Sequence, residues 1–222
     1  MRTTSLLLSL LGSMVCVGLA HADTALVQYE FQGLPGNETS VAASFAATGV
    51  TAGAFGESNV TASAAANSIN STGWNNANAA YDWSFAVADG STATVDQLVL
   101  ASRSSATGPG FMNVMESVDG GAYSVVASIT QTSTDFNDEF LALAPETGSS
   151  FAFRIVTANT TSAGGGSTAG TGTFRIGDYS AGTTTPFTVN GTVNVAAVPE
   201  PAAFGLLALG FAGLALRRRQ SA

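Results

Sequence analysis

The chain has 222 residues, with 15 Asp and Glu against 7 basic residues, all of them Arg, and a formal net charge of −8. Between residues 23 and 198 it keeps only Arg103, Arg154 and Arg175 against fourteen carboxylates, a net charge of about −11, and no Lys, Cys or His. Such a body repels phosphate, which excludes nucleic acid and anionic lipid surfaces as partners, and it lacks the parts of the usual catalytic triads and Schiff-base mechanisms.

The first element is not part of the fold. Arg2 precedes an apolar stretch at residues 6–20, which ends in Ala20-His21-Ala22. A positive start, a run of about 15 apolar or small residues and an Ala-x-Ala site predict a secretory signal peptide cleaved after Ala22. A membrane helix is the alternative, but it needs roughly 20 residues to span. The only Cys and the only His, Cys16 and His21, leave with the peptide. The exported body therefore has no disulfides and depends on its core.

Residues 23–197 then read as one all-β domain. Short runs of alternating polarity recur between turn residues: "ALVQYEFQG" (25–33), weaker runs at 41–50 and 59–66, "YDWSFAVA" (81–88) and "TVDQLVLASRS" (94–104). In the fourth of these, Tyr81, Trp83, Phe85 and Val87 share one face. The stretch 111–130 reads as a hairpin turning at Asp119-Gly120, because a tight turn needs the positive φ that Gly supplies. "FAFRIVTA" (151–158), "GTFRIGDY" (172–179) and "FTVNGTVNVA" (187–196) follow. Roughly nine or ten strands fit a jelly-roll-like two-sheet sandwich. The Gly- and Ser-rich stretch 157–172 has no side chains to bury and is expected to be a loose loop.

Three kinds of chemistry can be placed on this body. A paired-carboxylate glycosidase needs only Asp and Glu, but acidic residues on an exported β-domain read as solvated surface, so no enzyme is expected. "STDFNDEF" gathers Asp135, Asn137, Asp138 and Glu139 into an oxygen-rich loop, a candidate for structural Ca²⁺ that lacks the spacing of an EF-hand; the alternative is a plain turn. Trp74, in the Asn-rich "STGWNNANAA", is the candidate ring for stacking on sugars, against the alternative of a plug over the sandwich edge. Asn-x-Ser/Thr sequences begin at Asn37, Asn59, Asn70, Asn159 and Asn190, a number that chance accounts for in so Ser/Thr-rich a chain.

The last element is the tail. Val198-Pro199-Glu200-Pro201 precedes residues 202–216, which carry no charge, and then Arg217, Arg218 and Arg219. As a helix the uncharged run is about 22 Å long. Pro201 suits a first helical turn, Glu200 opposes the positive end of the helix dipole, and the arginines hold the C-terminal side in the cytoplasm. A Val-Pro-Glu-Pro, a short apolar helix and a terminal arginine cluster, in that order, resemble the PEP-CTERM sorting signal of Gram-negative bacteria. The resemblance covers residues 198–222. It implies recognition of Pro199-Glu200-Pro201 by an exosortase, transient anchorage in the membrane through the helix, and export by cells that make extracellular polysaccharide. An uncleaved anchor is the alternative. The body, from "STGWNNANAAYDWSFAVADGSTATVDQLVL" to "FRIGDYSAGTTTPFTVNGTV", also looks like a recurrent passenger domain of such proteins, which implies a jelly-roll sandwich and no particular ligand. Two functions follow as expectations: an exported structural or interaction protein of the cell surface or polysaccharide matrix, or a secreted carbohydrate-binding module.

Overall fold

The computed structural model describes residues 24–132, 134–177 and 186–195. Among them are fifteen strands, all paired antiparallel, and no helix. Sheet A holds β1 (Thr24–Tyr29), β3 (Phe45–Ala46), β6 (Thr61–Ala62), β7 (Ser68–Thr72), β9 (Thr92–Ser104), β12 (Asn137–Gly148), β14 (Phe174–Gly177) and β15 (Phe187–Asn194). Sheet B holds β2 (Ser40–Val41), β4 (Val50–Ala52), β5 (Phe55–Ser58), β8 (Ala80–Val87), β10 (Phe111–Val118), β11 (Ser124–Thr130) and β13 (Ser150–Thr157).

Each sheet is organised around one long strand. In sheet A, β12 runs along one edge of β9 while β15 and then β14 share the other: Val99 pairs Phe140 and Thr188, and Ser102 pairs Asn137 and Ile176. In sheet B, β13 lies along one edge of β8, and β5 and β4 divide the other. The edge strands β11 and β12 approach each other and close one side of the sandwich.

Alternation in the central strands of sheet B builds the core. Phe85, Trp83 and Tyr81 of β8 stand opposite Phe151, Phe153 and Ile155 of β13, all buried. Cross-strand neighbours stack, Trp83 on Phe153 at 5.1 Å and Phe85 on Phe151 at 4.9 Å. Sheet A presses edges against these faces: Phe187 meets Trp83 at 4.8 Å and Phe55 at 5.1 Å, and Tyr29 meets Phe55 at 5.5 Å. Such edge-to-face pairs add about 0.5–1.5 kcal/mol each beyond burial. The rings form one slab shared by both sheets.

The expected hairpin is present. Asp119 (φ 51°) and Gly120 (φ 74°) both take the left-handed conformation, and Gly121 N–H donates to Val118 O at 2.9 Å, a type I′ turn. Asp119 also reaches out of its turn, accepting from the backbone N–H groups of Ser149 and Ser150 at 2.8 and 2.9 Å.

Three expectations are corrected. The stretch after β13 is not loose, although it offers few side chains to bury: Ala163, Gly164 and Ala169 donate backbone hydrogen bonds to Gly108, Ala106 and Thr107. Gly172 lies so close to the Thr107 carbonyl that no Cβ fits there, which is why this seam is glycine. Residues 41–50, expected as one strand, break into three short ones, and residues 137–148, expected as a loop and an unassigned stretch, form the long strand β12.

Candidate functional site: the outward face of sheet B

The sorting residues Val198, Pro199, Glu200, Pro201, Arg217, Arg218 and Arg219, and the signal-cleavage residues Ala20 and Ala22, lie outside the described residues. The candidates within the body can be placed.

Trp74 is not a sugar platform. Its side chain is 1% exposed, its indole N–H donates to Ser71 O at 2.9 Å, and its ring meets Tyr81 and Phe174 edge-on at 4.9 and 5.4 Å. A ring enclosed by two others offers no face to a ligand, so Trp74 is the plug. Nor do the acidic residues form a loop: Asn137, Asp138 and Glu139 lie within β12, where successive side chains alternate between faces. Asp138 therefore points away from its two neighbours, and Asn137 is committed to Gln131 Oε1 at 3.2 Å. Asp135 precedes the strand. No group of three or more His, Cys, Asp or Glu converges among the described residues. Of the glycosylation sequences, the one at Asn70 is closed, because Asn70 is 3% exposed and donates to Ser63 O.

A site that local sequence does not announce lies on the outward face of sheet B. The strands that send Trp83, Phe153 and Val114 inward send their alternate residues outward. Cross-strand register assembles these into rows: Ser117, Ala152 and Ser84 in one, and Met115, Arg154 and Asp82 in the next. Small side chains leave a depression of about 320 Å³ floored by Thr51, Gly53, Ser84, Ala86, Ser117 and Ala152. A second, of about 280 Å³, is lined by Asn78, Met115, Tyr123, Arg154, Val156 and Thr157.

The row between them carries the charge. Arg154 Nε lies 2.7 Å from Asp82 Oδ1, and the Arg154 guanidinium lies 4.9 Å from the centre of the Tyr123 ring. Asp82 Oδ2 is buried and has no hydrogen-bond partner among the described residues, so the open polar atoms of this row are the remaining donors of Arg154. Tyr123, 37% exposed, is the large aromatic side chain that stands open at this face. The depressions thus combine hydroxyls, a fixed donor–acceptor pair and one ring. Their linings hold hydroxyls and no carboxylate, and Asp82 adjoins them only through Arg154.

Two buried carboxyls lie elsewhere. Glu116 on β10 is 3% exposed, with Oε1 unpartnered, and burial together with the charge of Glu146 pushes it up to about 7. Burial also pushes Glu57 on β5 up to about 7, with a contribution from the charge of Glu38.

Comparison with known proteins adds one firm finding. The PEP-CTERM protein-sorting motif matches residues 197–219. No curated protein matches the chain. A solved structure, the C-terminal domain of a chitobiase from Bacteroides fragilis, is similar over 57% of this chain and 73% of its own, with 12% identity and a TM-score of 0.32. At the C-terminal end of an acidic β-sandwich, the chain carries the PEP-CTERM sorting motif of exported proteins.

Proposed function

We propose that this is an interaction protein of the cell surface or extracellular matrix, exported as a precursor and processed at its tail by an exosortase. The match of the sorting motif carries this reading, because it begins at residue 197, directly after the last described strand ends at Asn194. In the precursor, residues 202–216 hold the chain in the membrane and Arg217 to Arg219 keep its end cytoplasmic. The exosortase acts at Pro199-Glu200-Pro201 and releases a jelly-roll-like sandwich that binds rather than catalyses. Terminal peptides of the protein from cells and from culture fluid test this by mass spectrometry after tryptic digestion. The expected last peptide begins at Ile176, after Arg175, and stops between Val198 and Pro201. A peptide running unbroken to Arg217 in both fractions would show a permanent anchor instead.

A second reading, that the sandwich binds neutral polysaccharide, is favoured by the groove. The central strands of its floor, β8, β10 and β13, are paired on both edges within sheet B, so a peptide cannot add to them as a strand. Its small polar floor and the Asp82–Arg154 row suit sugar hydroxyls. Retention on neutral glycan columns that disappears on Tyr123→Ala and Ser84→Trp supports the reading. Equal retention of wild type and both variants rejects it.

A further inference from the structure

Two carboxyls meet between the sheets, away from both outward faces. On β10, Met112, Val114, Glu116 and Val118 share the side that meets the core, and register sets Glu116 opposite Phe153 of β13. A carboxyl thus holds a place in a row of core side chains. It is 3% exposed, and its Oε1 is buried with no hydrogen-bond partner among the described residues. On β12, Glu146 pairs Val95 and Gly148 pairs Ala93 of β9. Val95 and Ala93 are buried in the core, and residues directly opposite in a sheet share a face. Glu146 therefore leaves the inner face of sheet A, at its edge, where it is exposed. The two strands touch at Val118 and Gly148, since Val118 Cγ1 fills the space that a Cβ on Gly148 would need. Glu116 and Glu146 each stand two residues before that contact.

The neighbours of Glu116 on β13 and β11, Phe153 and Ser124, do not titrate, nor does Val95 opposite Glu146 on β9. Glu146 is the charge that acts on Glu116. Two carboxyls in such a seam need a cation or a proton between them. Ca²⁺ takes about 6–8 oxygens, and no third Asp or Glu converges among the described residues. A proton fits: burial disfavours the charged form of Glu116 and Glu146 adds repulsion, which together push it up to about 7. The strand that can respond is β12. It pairs β9 alone, and its register breaks between Ala142 and Glu146, directly before the carboxyl. Leu143 in that break is buried, so it is the core side chain that a loosened β12 would uncover.

We propose that Glu116 and Glu146 form a proton-operated latch, which holds β12 against β10 while Glu116 is protonated and loosens that side of the sandwich when both carboxyls are charged. Glu116 holds its proton more tightly folded than unfolded, so the latch is closed in acid and opens as pH rises through about 7. It acts whatever the groove on sheet B binds.

The test uses the exported protein purified from its producing cells, labelled with ¹³C at the glutamate carboxyls and with ¹⁵N, and followed by NMR from pH 4 to pH 9. One carboxyl signal is expected to titrate near pH 7 and to be missing in Glu116→Gln. Glu146→Gln should move its midpoint to lower pH, an effect that a merely structural role for Glu146 would not produce. Because Glu146 is exposed, this variant tests the pair even if Glu116→Gln weakens folding. At pH 8 the backbone amides of residues 146–148 should exchange with solvent about tenfold faster in wild type than in Glu116→Gln, and equally at pH 5. A Glu116 midpoint near the ordinary 4.5 overturns the proposal. So does a midpoint that Glu146→Gln leaves in place, and so does equal exchange of wild type and Glu116→Gln at pH 8.

Discussion

The outward faces of the two sheets cover the same aromatic slab and treat their arginines in opposite ways. On sheet B, Arg154 is paired with Asp82 and roofed by Tyr123, and the surface around it is hollowed by small side chains. On sheet A, Arg103 and Arg175 face each other on β9 and β14 and share the Phe136 ring. Both faces owe their layout to residues that point away from the core. Stability therefore lies between the sheets and recognition outside them, and the two can be broken separately.

The strongest test of that separation is at the hub. Phe55 touches Tyr29, Phe31, Tyr81, Trp83 and Phe187, so Phe55→Ala should cost about 3–5 kcal/mol in chemical denaturation and disable both faces at once. Next comes Ser84→Trp, which fills the groove from an exposed position. It should abolish neutral-glycan retention while shifting stability by less than about 1 kcal/mol.

A smaller effect concerns pH. Glu116 and Glu57 hold their protons more tightly folded than unfolded, because both are pushed from 4.5 to about 7. Their stabilising contribution is complete below about 4.5 and is lost as pH rises through about 7. Thermal melts should show Tm falling between pH 5 and pH 8, and Glu116→Gln should flatten part of that slope. An unchanged slope would mean that Glu116 has water or another partner. The smallest effect is Arg154→Ala, whose ion pair is 43% exposed on the arginine side and should contribute no more than about 1 kcal/mol. Arg175→Ala at low salt should instead leave Tm unchanged or raised, and that contrast in sign sharpens the difference between the faces.

Much of the core could be read directly. Tyr81, Trp83 and Phe85 alternate with polar or small residues, and so do Phe151 and Phe153, so period 2 announces β8 and β13. β12 was hidden because its acidic start resembles a turn, and because Phe140 is 67% exposed, so apolar residues mark no buried face. β5 and β7 are short and largely polar, with nothing periodic to detect. The groove was not legible at all. Ser84, Ala86 and Ala152 look like filler, and Asp82 meets Arg154 only through the register of strands more than sixty residues apart. Trp74 misled for a related reason: its Asn-rich surroundings suggest exposure, while Tyr81 and Phe174 arrive from elsewhere to cover it. The tail was legible because its three parts are contiguous and need no fold to be recognised.

The pairing of β1 with β15 has a mechanical meaning. Thr24 stands opposite Gly191, so the strand that follows the export signal begins where the strand that leads into the sorting motif ends. Thr24 and Asn194, the outer ends of the first and last described strands, therefore lie at one end of the β1–β15 pair. A drag on the tail is then taken lengthwise by a strand held on both sides, by β1 and by β9. Such a load shears many hydrogen bonds together instead of unzipping them one by one.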